Sequence, residues 1–191
     1  PVSPRLYGLM TEEINFSYDG GLYGELIRNR NFRDSARVVA FWSPIQGPDG
    51  KCSISLDKKD PANSSLPVSM RLDVEKEGNR TAVANEGYWG IPVRPSSAYQ
   101  GSFYAKWSGS ESQPLTISLE SADGKTVYAS TQTTGITTQW NKYTFSLTTT
   151  GNVQPAKDAR FIISAARQGS YWFSLVSLFP PTFKGRANGN R

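Results

Sequence analysis

The chain has 191 residues, a length that suits one domain or one domain with a fragment of a second. Hydrophobic residues make up 37% and charged residues only 19%, a balance typical of β-rich extracellular domains. The net charge of +5 comes from scattered basic residues, which argues against a nucleic-acid partner. The sequence has no histidine and one cysteine, Cys52, so it excludes Ser-His-Asp catalysis, an internal disulfide and imidazole metal sites. No apolar run approaches the roughly 20 residues of a membrane span, and we expect no membrane partner.

The first 36 residues predict a strand, a loop and a helix. A short apolar run at 6–10 predicts the strand, and apolar side chains within 22–27 repeat at helical spacing. Asp19 can cap the start of this helix, and the basic residues at 28 and 30 suit its C-terminal end. This order is typical of the beginning of a βα unit.

From Val38 to Pro180 the pattern changes to short runs in which apolar and polar residues alternate. Such runs lie at 67–74, 100–107, 115–120, 141–147 and 161–165. Turn residues such as Asp123-Gly124 separate them, and period-two alternation between turns is typical of an antiparallel sandwich. The sequence therefore predicts an all-β fold, a jelly-roll β-sandwich of about ten antiparallel strands.

Four stretches resemble glycoside hydrolase family 51. Ser3–Asn15 (SPRLYGLMTEEIN) and Asp19–Phe32 (DGGLYGELIRNRNF) closely resemble the opening of that family, and Val176–Arg191 resembles its return to the catalytic barrel. Ala84–Ile91 (ANEGYWGI) is similar to a carbohydrate-binding-module-like sandwich that many members insert between them.

The resemblance implies three parts of the chain. Residues 1–36 would be the first strand and helix of an (α/β)8 catalytic barrel, 37–180 the inserted β-sandwich, and 181–191 the linker back to the barrel. The fold expected for the whole chain is thus a sandwich preceded by a strand–helix barrel fragment.

The resemblance also implies an activity for a parent enzyme, an α-L-arabinofuranosidase that removes arabinofuranosyl groups from arabinoxylan or arabinan with retention. Retaining hydrolysis needs an acid/base and a nucleophile about 5–5.5 Å apart. In the family both come from later barrel strands, so this chain alone is expected to be inactive. Only Glu12 matches a sugar-contacting position of the family, a glutamate that hydrogen-bonds arabinose. Glu12 and Glu13 are adjacent on a strand and point to opposite faces, so they cannot form a catalytic pair.

Aromatic rings that fall out of phase with the apolar face of a strand are candidates for stacking on sugars. Trp107 is in phase with Phe103, and Trp172 with Val176, so both are expected in the core. The phase of Trp42 leaves both placements open. We expect the carbohydrate-binding residues to be Glu86, Trp89, Tyr104, Trp140 and Tyr171.

No cofactor and no metal are expected. Related sugar-binding sandwiches often hold a calcium ion through an aspartate on the last strand, whereas the corresponding position here is Ser174. A neutral hydroxyl is a poor ligand for a cation that prefers charged oxygens.

Two functions remain open from the sequence, and the resemblance supplies the partners for both. In the first, the sandwich binds plant polysaccharide (arabinoxylan, xylan or arabinan) on behalf of an arabinofuranosidase. In the second, it is purely structural and braces the remainder of the catalytic barrel. Pairing with a separate chain that carries the rest of the barrel is a third possibility. The family implies a secreted, extracellular or periplasmic protein.

Overall fold

The structure, a computed structural model, describes residues 23–182, and within that range the chain forms eleven β-strands and no helix. The strands are β1 (Trp42–Gln46), β2 (Lys51–Asp57), β3 (Ser69–Lys76), β4 (Thr81–Asn85), β5 (Ile91–Val93), β6 (Ala98–Trp107), β7 (Thr116–Glu120), β8 (Val127–Gln132), β9 (Asn141–Thr148), β10 (Ala156–Ser164) and β11 (Gly169–Phe179). The predicted all-β fold is confirmed.

The strands form two antiparallel sheets. The six-stranded sheet has the order β1-β4-β10-β7-β8, with β5 pairing separately with β10. The five-stranded sheet has the order β2-β3-β11-β6-β9. Most neighbours are distant in sequence, so the two sheets are interleaved along the chain, which is the connectivity of a jelly-roll type of sandwich.

The core lies between the facing sides of the sheets and is rich in rings. Phe145 of the five-stranded sheet stacks on Phe161 of the six-stranded sheet, with ring centroids 5.8 Å apart. Trp107 is buried and stacks on Tyr171 at 5.4 Å. Trp42, which the sequence left open, is also buried. The core assignment of Trp107 is therefore confirmed, and aromatic packing joins the two sheets.

A bulge in β11 reverses which side chains face the core. Leu175 has a φ of 47°, and the pairing register with β6 shifts between Ser174 and Ser177. One extra residue in a strand inverts the side-chain alternation beyond it. The inward-facing residues of β11 are Tyr171 and Phe173 before the bulge and Val176 and Leu178 after it.

Residues 23–36 are not helical, which contradicts the predicted helix where it falls within the described range. The Leu26 amide donates to the Leu178 carbonyl at 2.9 Å, and the Val176 amide donates to the Arg30 carbonyl at 2.9 Å. Leu26 and Ile27 are buried against the sandwich. Tertiary pairing with β11 thus overrides the local helical spacing. The predicted strand at 6–10 and Asp19 lie outside the described residues.

Buried Glu25 fixes this segment to β11. Its carboxylate accepts hydrogen bonds from the amides of Ile27 (3.0 Å) and Leu178 (2.9 Å), from the Ser177 hydroxyl (2.5 Å) and from the Arg30 guanidinium (3.3 Å). Burial raises the pKa of Glu25, and these bonds and the Arg30 charge oppose the rise. The segment around Glu25 and the end of β11 are therefore bonded neighbours. The division into three parts at 36/37 and 180/181 stays a prediction.

Candidate functional site

Tyr171 cannot belong to an exposed sugar platform, so its prediction as a binding residue is wrong. Only 1% of the residue is exposed, and its hydroxyl donates to the Arg167 carbonyl at 3.0 Å. Burial raises the pKa of this hydroxyl to about 12. Trp172, expected in the core, is instead partly exposed on the outer face. The bulge explains both errors, because its extra residue puts Trp172 out of phase with Val176.

Trp140 and Trp172 lie on the outer face of the five-stranded sheet and hold a loop against it. The Trp172 Nε1 donates to an Asp57 carboxylate oxygen at 2.8 Å, and the Trp140 Nε1 donates to the Asp60 carbonyl at 3.2 Å. The Lys106 ammonium, which also bonds the Asp60 carboxylate, lies 4.6 Å from the Trp172 ring centroid and 5.6 Å from that of Trp140. We call these contacts the loop latch. They occupy the indole N–H groups and bring a cation close to both rings.

Tyr104 lies on the same outer face in β6. It is partly exposed and pairs in register with Ser174 on one side and Lys142 on the other. Ser174 is fully buried, and its hydroxyl has no hydrogen-bond partner among residues 23–182. Tyr104 and Trp140 therefore share a sheet face, as the strand phase predicts. Their role in sugar binding stays a prediction.

Glu86 and Trp89 lie elsewhere, on the turn between β4 and β5 at one end of the sandwich. Both are exposed, Trp89 to 69%. With Arg28, Phe41 and Tyr88 they line a hollow of about 370 Å³, and we call this set of five residues the end surface. Phe41 is 44% exposed, and the Arg28 guanidinium carbon lies 3.6 Å from its ring centroid. The predicted sugar-binding residues are thus divided between two surfaces.

Asn85 organises the end surface from beneath. It is fully buried, and its Oδ1 accepts hydrogen bonds from the amides of Arg28 (3.2 Å) and Gly87 (2.9 Å). Its Nδ2 donates to the carbonyls of Arg28 (3.0 Å) and Phe41 (3.1 Å). One amide side chain thereby joins three separate backbone segments, which fixes the positions from which Phe41 and Trp89 project.

A third surface is a polar groove on the outer face of the six-stranded sheet. The hollow is about 380 Å³ and crosses the ends of β4, β7, β8 and β10. Phe161, Ile163, Ile117 and Leu119 face the core, so the alternating residues of the same strands face this groove. We define the polar groove by six of its hydrogen-bonding side chains, which are Asn79, Arg80, Gln113, Thr116, Glu120 and Gln132.

Glu120 is the fixed charge of the polar groove. Its residue is 5% exposed, its carboxylate pairs with the Arg80 guanidinium, and it accepts a hydrogen bond from the Ser118 hydroxyl at 2.7 Å. Arg160 lies directly opposite Glu120 on β10. A carboxylate held by two partners keeps one orientation, which is the condition for selective recognition of a polar ligand.

Sequence patterns did not find the polar groove. Arg80, Thr116, Glu120 and Gln132 occupy positions that look like ordinary solvated strand residues, and no motif joins them. The sequence predicts sugar-binding residues mainly from aromatic rings, and none of the groove-lining residues is aromatic. Glu12, the predicted arabinose contact, lies outside the described residues.

Neither a metal centre nor a membrane-spanning helix is found among residues 23–182. No three His, Cys, Asp or Glu side chains of this range are grouped so that they could bind an ion together. The same range contains no helix of the length and apolar character that crossing a bilayer requires.

Comparison with known proteins gives the family. A model of the carbohydrate binding domain family matches residues 24–169. A probable α-L-arabinofuranosidase A of Aspergillus oryzae is 36% identical over 98% of this chain, and the α-L-arabinofuranosidase A of Aspergillus kawachii is 33% identical over 98%. The chain spans only 29% and 30% of the lengths of these two curated relatives.

Solved structures agree with this assignment. The arabinose-bound family 51 α-L-arabinofuranosidase MgGH51 superposes with a TM-score of 0.82 and 34% identity, over 96% of this chain and 31% of that one. A carbohydrate-binding module of family 4 superposes with a TM-score of 0.56 and 15% identity, over 81% and 99%, which supports the fold alone. The chain therefore belongs to the carbohydrate binding domain family and matches the N-terminal 30% or so of family 51 α-L-arabinofuranosidases.

Proposed function

We propose that the sandwich retains an α-L-arabinofuranosidase on plant cell-wall polysaccharide by binding the glycan in the polar groove. The observation that carries this proposal is the fixed Glu120 carboxylate, held by Arg80 and Ser118 at the side of an open hollow of about 380 Å³. Sugar hydroxyls both donate and accept hydrogen bonds. A carboxylate, a guanidinium and amide side chains around one hollow supply matching acceptors and donors.

The polymer proposed is arabinoxylan, xylan or arabinan, because the matched relatives are arabinofuranosidases. A polysaccharide chain that crosses the strand ends can run through an open groove, whereas an enclosed pocket would admit only a terminal sugar. Such polymers lie outside cells, so a secreted or periplasmic localisation is part of the proposal. Hydrolysis would be the work of the longer enzyme, and the arabinose contact predicted for Glu12 belongs to that part of the proposal.

Affinity electrophoresis through gels containing arabinoxylan, xylan, arabinan or β-glucan tests the proposal. Gln132→Ala removes an exposed groove side chain, and Glu120→Gln replaces the carboxylate with an amide of the same shape. We expect each variant to bind the retained polymer about fivefold more weakly, the value of one hydrogen bond near 1 kcal/mol. Gln154→Ala, an exposed glutamine between β9 and β10, is the matched control and should leave retention unchanged.

Unretarded migration of the wild type in all four gels would favour the second function, a structural sandwich without sugar affinity. One observation supports that alternative. Glu25 and the 26–30 segment attach firmly to β11, as a brace between two parts of a longer protein would. Equal retention of the wild type, Gln132→Ala and Glu120→Gln would instead place sugar binding outside the polar groove. Trp89→Ala, Tyr104→Ala and Trp140→Ala then test the sequence-based sites.

A further inference from the structure

The end surface exposes aromatic side chains on a backbone that leaves them little freedom. The Gly90 amide donates to the Glu86 carbonyl at 2.9 Å and closes the turn that carries Trp89. Gly87 has a φ of 67°, and a Cβ at this position would lie 2.8 Å from the Leu26 carbonyl oxygen. Glycine is therefore required there, and the turn packs directly on the segment through which the chain enters the sandwich.

Phe41 shows that this arrangement is held under strain. Its φ is 67°, a left-handed conformation that costs a residue with a Cβ about 1–2 kcal/mol. The bond from Asn85 to its carbonyl maintains the conformation, yet the Phe41 ring remains 44% exposed. Strained backbone that displays an apolar ring to solvent is more typical of a recognition surface than of packing within the domain.

The end surface also lies beside the two places where the chain crosses the domain boundary. Arg28 belongs to the entering segment, which pairs with the end of β11 through Leu26 and Arg30. A protein body attached through these crossings is held next to Phe41 and Trp89. The matched relatives have such a body, because this chain spans only 29–31% of their lengths.

From these observations we infer that the end surface is the docking face for the catalytic portion of the arabinofuranosidase, with Trp89 as its central contact. Trp, Tyr, Phe and Arg are the residues enriched at the cores of protein–protein interfaces, and the end surface presents one of each around a hollow of about 370 Å³. The face of the catalytic portion that fits is an apolar projection. This inference rests on the proposed membership of a longer arabinofuranosidase, but it does not require that the polar groove bind sugar.

The test compares one substitution in two settings. In the first, residues 1–191 replace the matched 29% of the Aspergillus oryzae relative, which gives a full-length chimera. In the second, the 191-residue chain stands alone. Trp89→Ala is expected to lower the melting temperature of the chimera by about 5 °C and that of the chain alone by less than about 1 °C, since an interface is lost only in the chimera. Val127→Ala, which truncates a 57% exposed apolar residue on β8, should change neither.

Equal shifts in both settings, or no shift in the chimera, would overturn the inference. Should the wild-type chimera fail to fold, the chain is co-expressed with the remaining portion of the same relative as a second polypeptide. Co-purification of that portion with the wild type and Val127→Ala but not with Trp89→Ala supports docking. Equal co-purification, or none with the wild type, contradicts it.

In the polysaccharide gels Trp89→Ala should migrate as the wild type does. Loss of retention there would assign Trp89 to sugar and overturn the docking role without touching the groove proposal.

Discussion

Asn85 holds three backbone segments together beneath the end surface. It is buried, and its four hydrogen bonds join the backbones of Arg28, Phe41 and Gly87. We expect Asn85→Ala to lower the free energy of unfolding by about 3 kcal/mol, because it leaves several buried amide and carbonyl groups without partners. Urea denaturation measures the change. Asn141→Ala removes an asparagine that makes two bonds at the exposed start of β9 and should cost less than about 0.5 kcal/mol. A similar loss in both variants would contradict this role for Asn85.

At the scale of single residues, the sequence predicts only part of the candidate site. Trp89 and Glu86 were found through a family resemblance, and the structure places them on one turn. Trp140 and Tyr104 were found through strand phase and share a face, whereas Tyr171 was misplaced by a bulge. The polar groove was missed, since its side chains come from β7, β8 and the segments before β4 and β7, and their proximity depends on long-range pairing.

At the scale of strands, the alternation of apolar and polar residues predicted where several strands lie. It did not predict how the strands pair. The runs predicted at 100–107, 115–120 and 141–147 coincide closely with β6, β7 and β9. Alternation is a local property, so it survives any arrangement of the sheets. The order β2-β3-β11-β6-β9 depends on pairing between distant segments, and no local pattern encodes it. The helical spacing at 22–27 failed for the same reason, because β11 supplies the hydrogen-bond partners for that segment.

The loop latch predicts a dependence on pH. Burial pushes the pKa of Asp57 upward, but hydrogen bonds from Trp172 and the Lys59 amide, with the charges of Arg71 and Lys59, outweigh it and hold the pKa below its ordinary value. A carboxyl group with a lowered folded-state pKa stabilises the protein above its unfolded pKa, and this contribution disappears as the pH falls through the folded value. We therefore expect Asp57→Asn to be less stable than the wild type at neutral pH and equally stable near pH 2.

Melting temperatures of the two proteins, measured between about pH 2 and pH 7, give this difference directly. It should stay below about 1 kcal/mol and shrink in high salt, because Asp57 is only partly buried. The opposite trend, with Asp57→Asn relatively weaker in acid, would show that the latch does not depend on the ionised carboxylate. The same series on Asp158→Asn, an exposed aspartate on β10, controls for the loss of one negative charge.

For the molecule as a whole, the larger of the two buried clusters among residues 23–182 predicts one unfolding transition. The buried cluster includes side chains from both sheets, and Cys52 in β2 belongs to it with 7% exposure. Burial also raises the pKa of the Cys52 thiol, which keeps it in the unreactive protonated form. We expect a thiol reagent to label Cys52 only when the sandwich unfolds. The opening free energy from labelling should then equal that from circular dichroism in urea. Faster labelling would reveal that β1 and β2 open separately from the remaining strands.

The hydrogen-bonded pairing of residues 26–30 with the end of β11 bears on how such a domain is inserted into different proteins. The sequence predicts that the sandwich is inserted into a barrel, and two attachments that emerge side by side would then demand no more room from the barrel than a tight turn does. An inserted sandwich can therefore replace a single surface turn of another fold without displacing the backbone on either side of that turn. Evolution can then shorten, exchange or delete the sandwich while the backbone of the other fold stays the same on either side of the insertion.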